Sequence, residues 1–380
     1  MEHLIIGGGI AGPITAMALA RVGQRATIYE AQPAEREPGG IFLTLAENGL
    51  AALRAIGLDD AVRAVAHASP RIAFRSGSGK PLGAMSIGEH TVSIERATLQ
   101  RVLRDAAAQR GIETRWGKRL VSAARGRASF EDGSHAEGDS VIGCDGIRSR
   151  VRSAIDARAP GPRYTGLLNL GGFSRAVPEA EAPVGSYEMI FGRDAFFGWV
   201  VVDDPATPIW WFANLPEARE LDHRGTTHEH WRERLMAAFA PDRGPARAIV
   251  AATASQLACY NTYEMPRVPT WQRDGMIIIG DAAHAASPSS GQGASMAAED
   301  AVALARCLRD GADVDVAFAA FERERRARVE RVVAEGRRAS SSKTPGPVGR
   351  LFRDWLMPRF IAKAADPERS AWLYRHASAL

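Results

Sequence analysis

The sequence predicts an α/β fold: a Rossmann-like dinucleotide-binding domain with a parallel sheet, intergrown with a mainly antiparallel sheet domain and followed by a C-terminal helical segment. Three observations predict it. At the N-terminus a short apolar strand runs into glycines that open a helix, the pattern of a dinucleotide-binding βαβ unit. Two later apolar runs, Val141–Cys144 and Ile277–Ile279, each deliver an Asp–Gly or Gly–Asp pair to their C-terminal end. Between those runs, from about 165 to 265, the chain becomes aromatic and β-branched, with Gly, Asp and Pro at the turns.

Taken in order, His3-Leu-Ile-Ile is short and continuously apolar, as a strand buried on both faces must be. The helical pattern after the glycines runs through Arg21, and Arg25–Glu30 supplies a second strand. Pro33–Gly40 is a loop, and Leu45–Ile56 has helical spacing that stops at Gly57. Residues 70–95 read as short strands and turns, with Ser76–Pro81 the tight connection. Glu95–Arg110 is an amphipathic helix ended by Gly111, and short strands alternate with turns from Ile112 to Phe130. Ile147–Ile155 is helical. Ser186–Phe191, Phe196–Val202 and Ile209–Phe212 form an antiparallel meander, interrupted by a helix around Glu229–Phe239. The chain returns to the first domain through Met276–Ile279 and a helix over Gln292–Leu308. A long charged helix, Phe318–Arg338, precedes a tail that is punctuated by Pro and Gly and then helical again. These readings divide the chain into a dinucleotide domain (1–70, 96–160 and 268–310), a substrate domain (71–95 and 161–267) and C-terminal helices (311–380).

Composition narrows the function. A chain of 380 residues that is 46% hydrophobic buries a full core. Its net charge of +4 comes from arginines scattered along the whole length, which describes a solvated basic surface and disfavours a nucleic-acid partner. Cys144, Cys259 and Cys307 are far apart, without C-x-x-C or zinc-ligand spacing, so no metal site is expected. The first residues lack a signal peptide's apolar stretch, and no run of about 18 apolar residues occurs, which predicts a cytoplasmic protein without a membrane partner.

Three stretches carry chemistry. In Gly7-Gly-Gly9-Ile10-Ala11-Gly12, Gly7 allows a tight turn, Gly9 lets backbone approach a pyrophosphate at the helix N-terminus, and Gly12 lets helix and strand pack closely. Glu30, at the end of the second strand, is placed to accept hydrogen bonds from a ribose. Asp145-Gly146 and Gly280-Asp281 close their strands at the carboxyl edge of the sheet, so Glu30, Asp145 and Asp281 share one crevice; three acceptors suit a polyhydroxylated chain such as ribityl. The alternative, that each Asp caps the helix that follows it, stays open. Pro288-Ser-Ser-Gly291-Gln-Gly293-Ala294 opens another helix, whose positive end can stabilise the negative charge of a reduced flavin.

The glycine fingerprint, Arg96 with Leu99 and Leu103, the Asp145-Gly146 segment, and Gly280-Asp281 with Pro288 and Gly291-x-Gly293 resemble, in order and spacing, the single-component FAD-dependent aromatic hydroxylases of the para-hydroxybenzoate hydroxylase type, closest to the short branch with tetracycline-inactivating and salicylate-type monooxygenases. The resemblance implies that FAD is bound by Gly7, Gly9, Ile10, Ala11, Gly12, Glu30, Ala31, Gly40, Arg96, Leu120, Asp145, Gly146, Asp281, Gly291, Gly293 and Ala294, with Leu120 touching the adenine through its backbone. Pro288 would sit at the ring edge facing the substrate, and Arg96 would have a positioning role. It further implies that NADH or NADPH reduces FAD, that O2 adds to give a flavin C4a-hydroperoxide, and that one oxygen atom passes to an aromatic or polycyclic small molecule. No second G-x-G-x-x-G occurs after residue 100, which favours a transient nicotinamide visit over a second nucleotide domain.

Tyr187, Met189 and Phe191 alternate onto one face of their strand, as do Phe197 and Trp199 on the next and Trp210 and Phe212 on a third, so these seven are the substrate-pocket candidates. His284 reads as a packed, hydrogen-bonded residue rather than an acid–base group. Competing readings are a flavin dehydrogenase or reductase of the same fold and a non-catalytic flavin-bound sensor; Trp210-Trp211 lacks the W-x-W-x-I-P pattern of flavin halogenases. A monomer or homodimer is expected.

Overall fold

The computed structural model describes residues 1–37, 39–222, 226–254, 257–341, 347–376 and 379–380. Its central sheet has six strands in the order Gln272–Arg273, Met276–Ile278, Ser140–Gly143, Glu2–Ile6, Arg25–Tyr29, Thr114–Arg115. The first pair is antiparallel and all others are parallel. Leu4, Ile5, Val141, Ile142, Ile277 and Ile278 are fully buried, as continuous apolar runs in a doubly covered sheet require. The fingerprint helix Ala11–Arg21 is buried from Gly12 to Leu19, which accounts for its being apolar on every side. It packs against helices Arg96–Gln109 and Gly293–Asp310.

A second sheet has seven strands, ordered Ala258–Glu264, Arg163–Ser174, Ile209–Pro216, Phe196–Val201, Ser186–Phe191, Arg71–Ser76, Pro81–Ser86. Only the pairing of Ser186–Phe191 with Arg71–Ser76 is parallel. The long strand Arg163–Ser174 was not anticipated from sequence, because Gly166, Gly171 and Gly172 dilute its apolar alternation. A Cβ on Gly171 would lie 2.5 Å from Ile41 Cδ1, so the missing side chain is what lets the segment before Phe42 lean directly on the sheet.

That segment belongs to a small sheet in which Phe42–Leu45 pairs with Val92–Glu95, and Val92–Glu95 with His67–Ala68. Residues 71–95, expected to join the antiparallel sheet as a unit, are therefore split: the first two strands do so, while Val92–Glu95 stays beside Phe42–Leu45. Leu120, implied to touch the adenine, lies outside the central sheet. Thr114–Arg115 is the strand that follows the Arg96 helix, whereas Leu120 opens a separate three-stranded antiparallel sheet with Arg127–Phe130 and His135–Glu137.

The two faces of the seven-stranded sheet have different covers. Helices His228–Ala238 and Ala246–Ala252 close one, packing Trp231, Phe239, Ile249 and Val250 onto Phe197, Trp199 and Trp211. The other carries Tyr187, Met189, Phe191, Phe196 and Trp210, with Phe42, Phe173 and Phe212 half-buried against them, and Met357, Ile361 and Tyr374 from the C-terminal helices Pro347–Ala364 and Pro367–Tyr374. Phe197 and Trp199 are therefore corrected: they face the helices, away from the other five candidates. Register decides this, since Trp199 pairs with Trp211 and Glu188, whereas Val200 pairs with Trp210 and Tyr187.

Candidate active site

At the carboxyl edge of the parallel sheet the fingerprint glycines are constrained in three different ways. Gly7 has φ 108°, and a Cβ there would stand 2.4 Å from the Cys144 carbonyl oxygen. A Cβ on Gly12 would stand 1.9 Å from the Gly7 carbonyl oxygen, so helix and turn are in direct contact. Gly9 differs: the nearest atom to its Cβ position is 3.8 Å away, leaving open space before the helix. Ile10 is the N-cap and offers no side-chain cap to the first helical N–H groups, beginning at Ala11, which are left for a ligand. Glu30 closes this turn, its Oε2 accepting from Gly8 N at 2.6 Å and its Oε1 from Gln32 N at 2.8 Å, just beyond Ala31. Each oxygen keeps a second lone pair for a ribose hydroxyl.

Gly40, at φ 118°, is overlain by Arg96, whose Cδ would lie 2.4 Å from a Cβ there. Arg96 N donates to Ile41 O at 3.1 Å, which ties the loop to the start of the Arg96 helix. Asp145 does cap the next helix: its Oδ2 accepts from Arg150 N at 2.6 Å and Val151 N at 3.1 Å. Yet its Oδ1 is buried without a protein partner, beside Gly146 at φ 73°. Burial pushes this carboxyl above the usual range, against the hydrogen bonds it accepts. Asp281 is exposed at the start of helix Asp281–His284, and its Oδ1 lies 3.9 Å from the Cβ position of Gly293, so two motifs read separately in the sequence meet here. Pro288 begins a short 3-10 turn, Gly291 has φ 61°, and Gly293 starts its helix, with Ala294 half-buried, without a side-chain cap from Gln292.

Beneath this helix start lies a buried ionic network that sequence reading missed. Glu299 accepts from Asn48 Nδ2 (2.6 Å), Arg325 Nη2 (2.6 Å), Arg328 Nε (2.8 Å) and Arg328 Nη2 (2.6 Å). Asp300 accepts from Gly280 N (3.0 Å) and Arg325 Nε (2.8 Å) and pairs with His284 Nε2 (2.5 Å), the packed histidine expected. Desolvation would raise the Asp300 carboxyl, but the His284 and Arg325 charges and these hydrogen bonds outweigh it and hold it at about 2. Asn48 also donates to Gln292 Oε1 at 2.9 Å, so the network reaches the residue between Gly291 and Gly293. The available signal was a Glu-Asp pair inside an otherwise small and apolar helix.

Across the site, the Tyr187 hydroxyl meets Ser93 Oγ at 2.5 Å and Thr44 Oγ1 at 3.1 Å, and burial raises its pKa. These bonds bridge the sheet carrying the aromatic face to the small sheet that follows Gly40. The open space at Gly9, the orphaned Asp145 Oδ1, and the uncapped starts of two helices fit a dinucleotide with a polyhydroxylated chain and an anionic ring edge. No helix among the described residues is long and apolar enough to cross a membrane.

A family model described as FAD binding domain matches residues 1–336. The aurachin C monooxygenase/isomerase of Stigmatella aurantiaca is 30% identical over 346 residues, 87% of this chain and 86% of that protein. The FAD-dependent urate hydroxylase of Klebsiella pneumoniae is 28% identical over 353 residues, 89% of each chain. The structure of Klebsiella pneumoniae HpxO complexed with FAD and uric acid superposes with a TM-score of 0.85 at 25% identity, covering 97% of both chains. The chain therefore belongs to the FAD-dependent aromatic hydroxylase family and is an FAD-dependent monooxygenase.

Proposed function

We propose that this monooxygenase takes electrons from NADH or NADPH and places one atom of O2 on a planar aromatic or polycyclic small molecule held against the aromatic face of the seven-stranded sheet. The observation that carries this reading is the pairing of that face with the cofactor edge: Phe42 sits two residues after Gly40, on which Arg96 rests, and its ring lies 5.5 Å from Trp210, 6.3 Å from Phe212 and 6.5 Å from Tyr187. Aromatic walls bind flat apolar molecules. The relatives named for urate and aurachin C favour a heteroaromatic substrate.

Bound FAD supplies the redox and oxygen-transfer chemistry, and the chain supplies position and electrostatics. Glu30 holds the adenosine ribose, Arg96 over Gly40 lies by the phosphates and ring, and Asp281 holds the ribityl chain or phosphate. Asp145 Oδ1 accepts a hydroxyl, and Leu120 borders the adenine. The N–H groups of Gly291 to Ala294, at a helix N-terminus, stabilise negative charge at the pyrimidine edge without a titrating group. Pro288 faces the substrate, and the Phe42, Phe173 and Phe212 rings exclude water from the reacting face.

The test is an absorbance spectrum of the purified protein, then anaerobic NADH or NADPH, then air, with and without aromatic compounds. The proposal expects a flavin spectrum, bleaching that accelerates with a substrate, and an oxygenated product. A flavin that is reduced and reoxidised without oxygen transfer to any compound refutes it.

A further inference from the structure

Three tryptophans lie in the middle of the seven-stranded sheet, and two of their indole N–H groups are satisfied. On the helix-covered face Trp199 Nε1 donates to Ala180 O at 3.3 Å and Trp211 Nε1 to Thr253 Oγ1 at 2.9 Å. Trp210, on the aromatic face, is 5% exposed, and its Nε1 is buried without an acceptor. Its ring is fixed by Phe42 at 5.5 Å, Phe173 at 5.4 Å and His67, edge-on, at 5.0 Å. A buried indole N–H ordinarily finds a partner, because an unpaired one has lost its hydration for nothing.

The polar inventory of that face is small. The Tyr187 hydroxyl is engaged by Ser93 and Thr44, and Asn214 Nδ2 donates to Asn169 Oδ1 at 2.9 Å. Across Ser186–Phe191, Phe196–Val201 and Ile209–Pro216 the one charged residue is Glu188, which pairs across the strands with Trp199 on the other face and is bonded to Arg75. His67, edge-on to Trp210, is a titratable group in contact with its ring. A carboxylate brought here would lose water and, among the described residues of these three strands, meet no fixed cation, a cost a single neutral donor does not offset.

We propose that Trp210 is a specificity-determining residue whose indole N–H donates to a ring-carbonyl oxygen of a planar, uncharged aromatic substrate, and that the same face disfavours carboxylated aromatics. This rests on the function proposed above. The test uses the full FAD-loaded chain and Trp210→Phe, titrated with chromone (flat, with a ring carbonyl), naphthalene (flat, without an acceptor) and 2-naphthoate, read by the change in flavin absorbance. Wild type binds chromone about tenfold more tightly than naphthalene, the worth of one hydrogen bond, and binds 2-naphthoate most weakly. Trp210→Phe loses the preference for chromone and leaves naphthalene unchanged.

A chromone preference that survives Trp210→Phe, 2-naphthoate binding tighter than chromone, or no binding of any of the three overturns the proposal. Should Trp210→Phe fail to fold, the wild-type ranking alone decides. FAD content and NAD(P)H-driven bleaching are read on the same wild-type sample. Protein that holds and reduces flavin but does not rank the ligands as stated refutes the role of Trp210 alone. Protein without FAD, or without reduction, refutes the underlying function.

Discussion

Gly9 and Gly12 belong to one motif, yet the structure gives them separable jobs, and a pair of alanine variants tests this. A Cβ on Gly12 would sit 1.9 Å from the Gly7 carbonyl oxygen, so Gly12→Ala must move helix and turn apart by about 1 Å, an overpacking that costs about 1–3 kcal/mol. For a chain of 380 residues the unfolding entropy is about 0.8 kcal/mol per degree, which converts that cost to a fall in Tm of about 1–4 °C. A Cβ on Gly9 would meet nothing closer than 3.8 Å, and its φ is not positive, so Gly9→Ala leaves the apoprotein as stable as wild type or up to about 1 kcal/mol more so. The methyl group does occupy the space in front of the helix start, and FAD affinity should fall at least about tenfold, or about 1.4 kcal/mol. Apoprotein melting curves and FAD titration by fluorescence quenching read the two effects separately. Gly9→Ala that binds FAD like wild type, or that melts lower as apoprotein, refutes the claim that this space is kept for the pyrophosphate.

Other expectations follow from the same geometry. Glu299→Ala strands two buried or half-buried guanidinium groups and should cost about 3–5 kcal/mol while loosening FAD through Asn48 and Gln292; a melting curve within a degree of wild type would show that the network is not load-sharing. His3 is fully buried beside Ser140, and burial lowers its pKa from 6.5 to about 4. The unfolded chain therefore binds the extra proton between these values, so stability is full above pH 6.5 and declines by about 3 kcal/mol as pH falls to 4. Denaturant midpoints of wild type and His3→Asn across that window should converge toward pH 4. Asp281→Ala should purify without flavin and Glu30→Ala with partial occupancy; full occupancy in either removes that residue from the cofactor site. Phe197→Leu should lower stability by about 1 kcal/mol without altering which aromatic ligands bind.

Much of the cofactor edge was legible because its chemistry depends on backbone. A glycine that must hold φ 108° under a carbonyl oxygen, or start a helix uncapped, leaves its mark in sequence whatever surrounds it. The aromatic face was half legible. Alternation groups residues along a strand, but which group faces inward depends on the neighbouring strand's register, so Phe197 and Trp199 were grouped with Trp210 and fell on the other side. Strand Arg163–Ser174 was hidden by its own glycines, whose purpose is visible only beside Ile41 and Thr253. The ionic network was hidden for a different reason: the Glu299–Asp300 pair is a local signal, but its partners, residues 48, 284, 325 and 328, come from separate elements that no local pattern links to it.

The order of the strands in the parallel sheet carries a consequence for how the protein is made. Glu2–Ile6 pairs with Ser140–Gly143, and Ser140–Gly143 completes its other edge only with Met276–Ile278. On the ribosome, every strand of the seven-stranded sheet, through Ala258–Glu264, is synthesised before Met276 is added. Until then Ser140–Gly143 has one edge without its strand partner, with Val141 and Ile142 at its centre, the kind of surface that chaperones shield. The edge that carries Asp145 and Asp281 is therefore complete only after Met276–Ile278 and the Asp281–His284 helix behind it have been made.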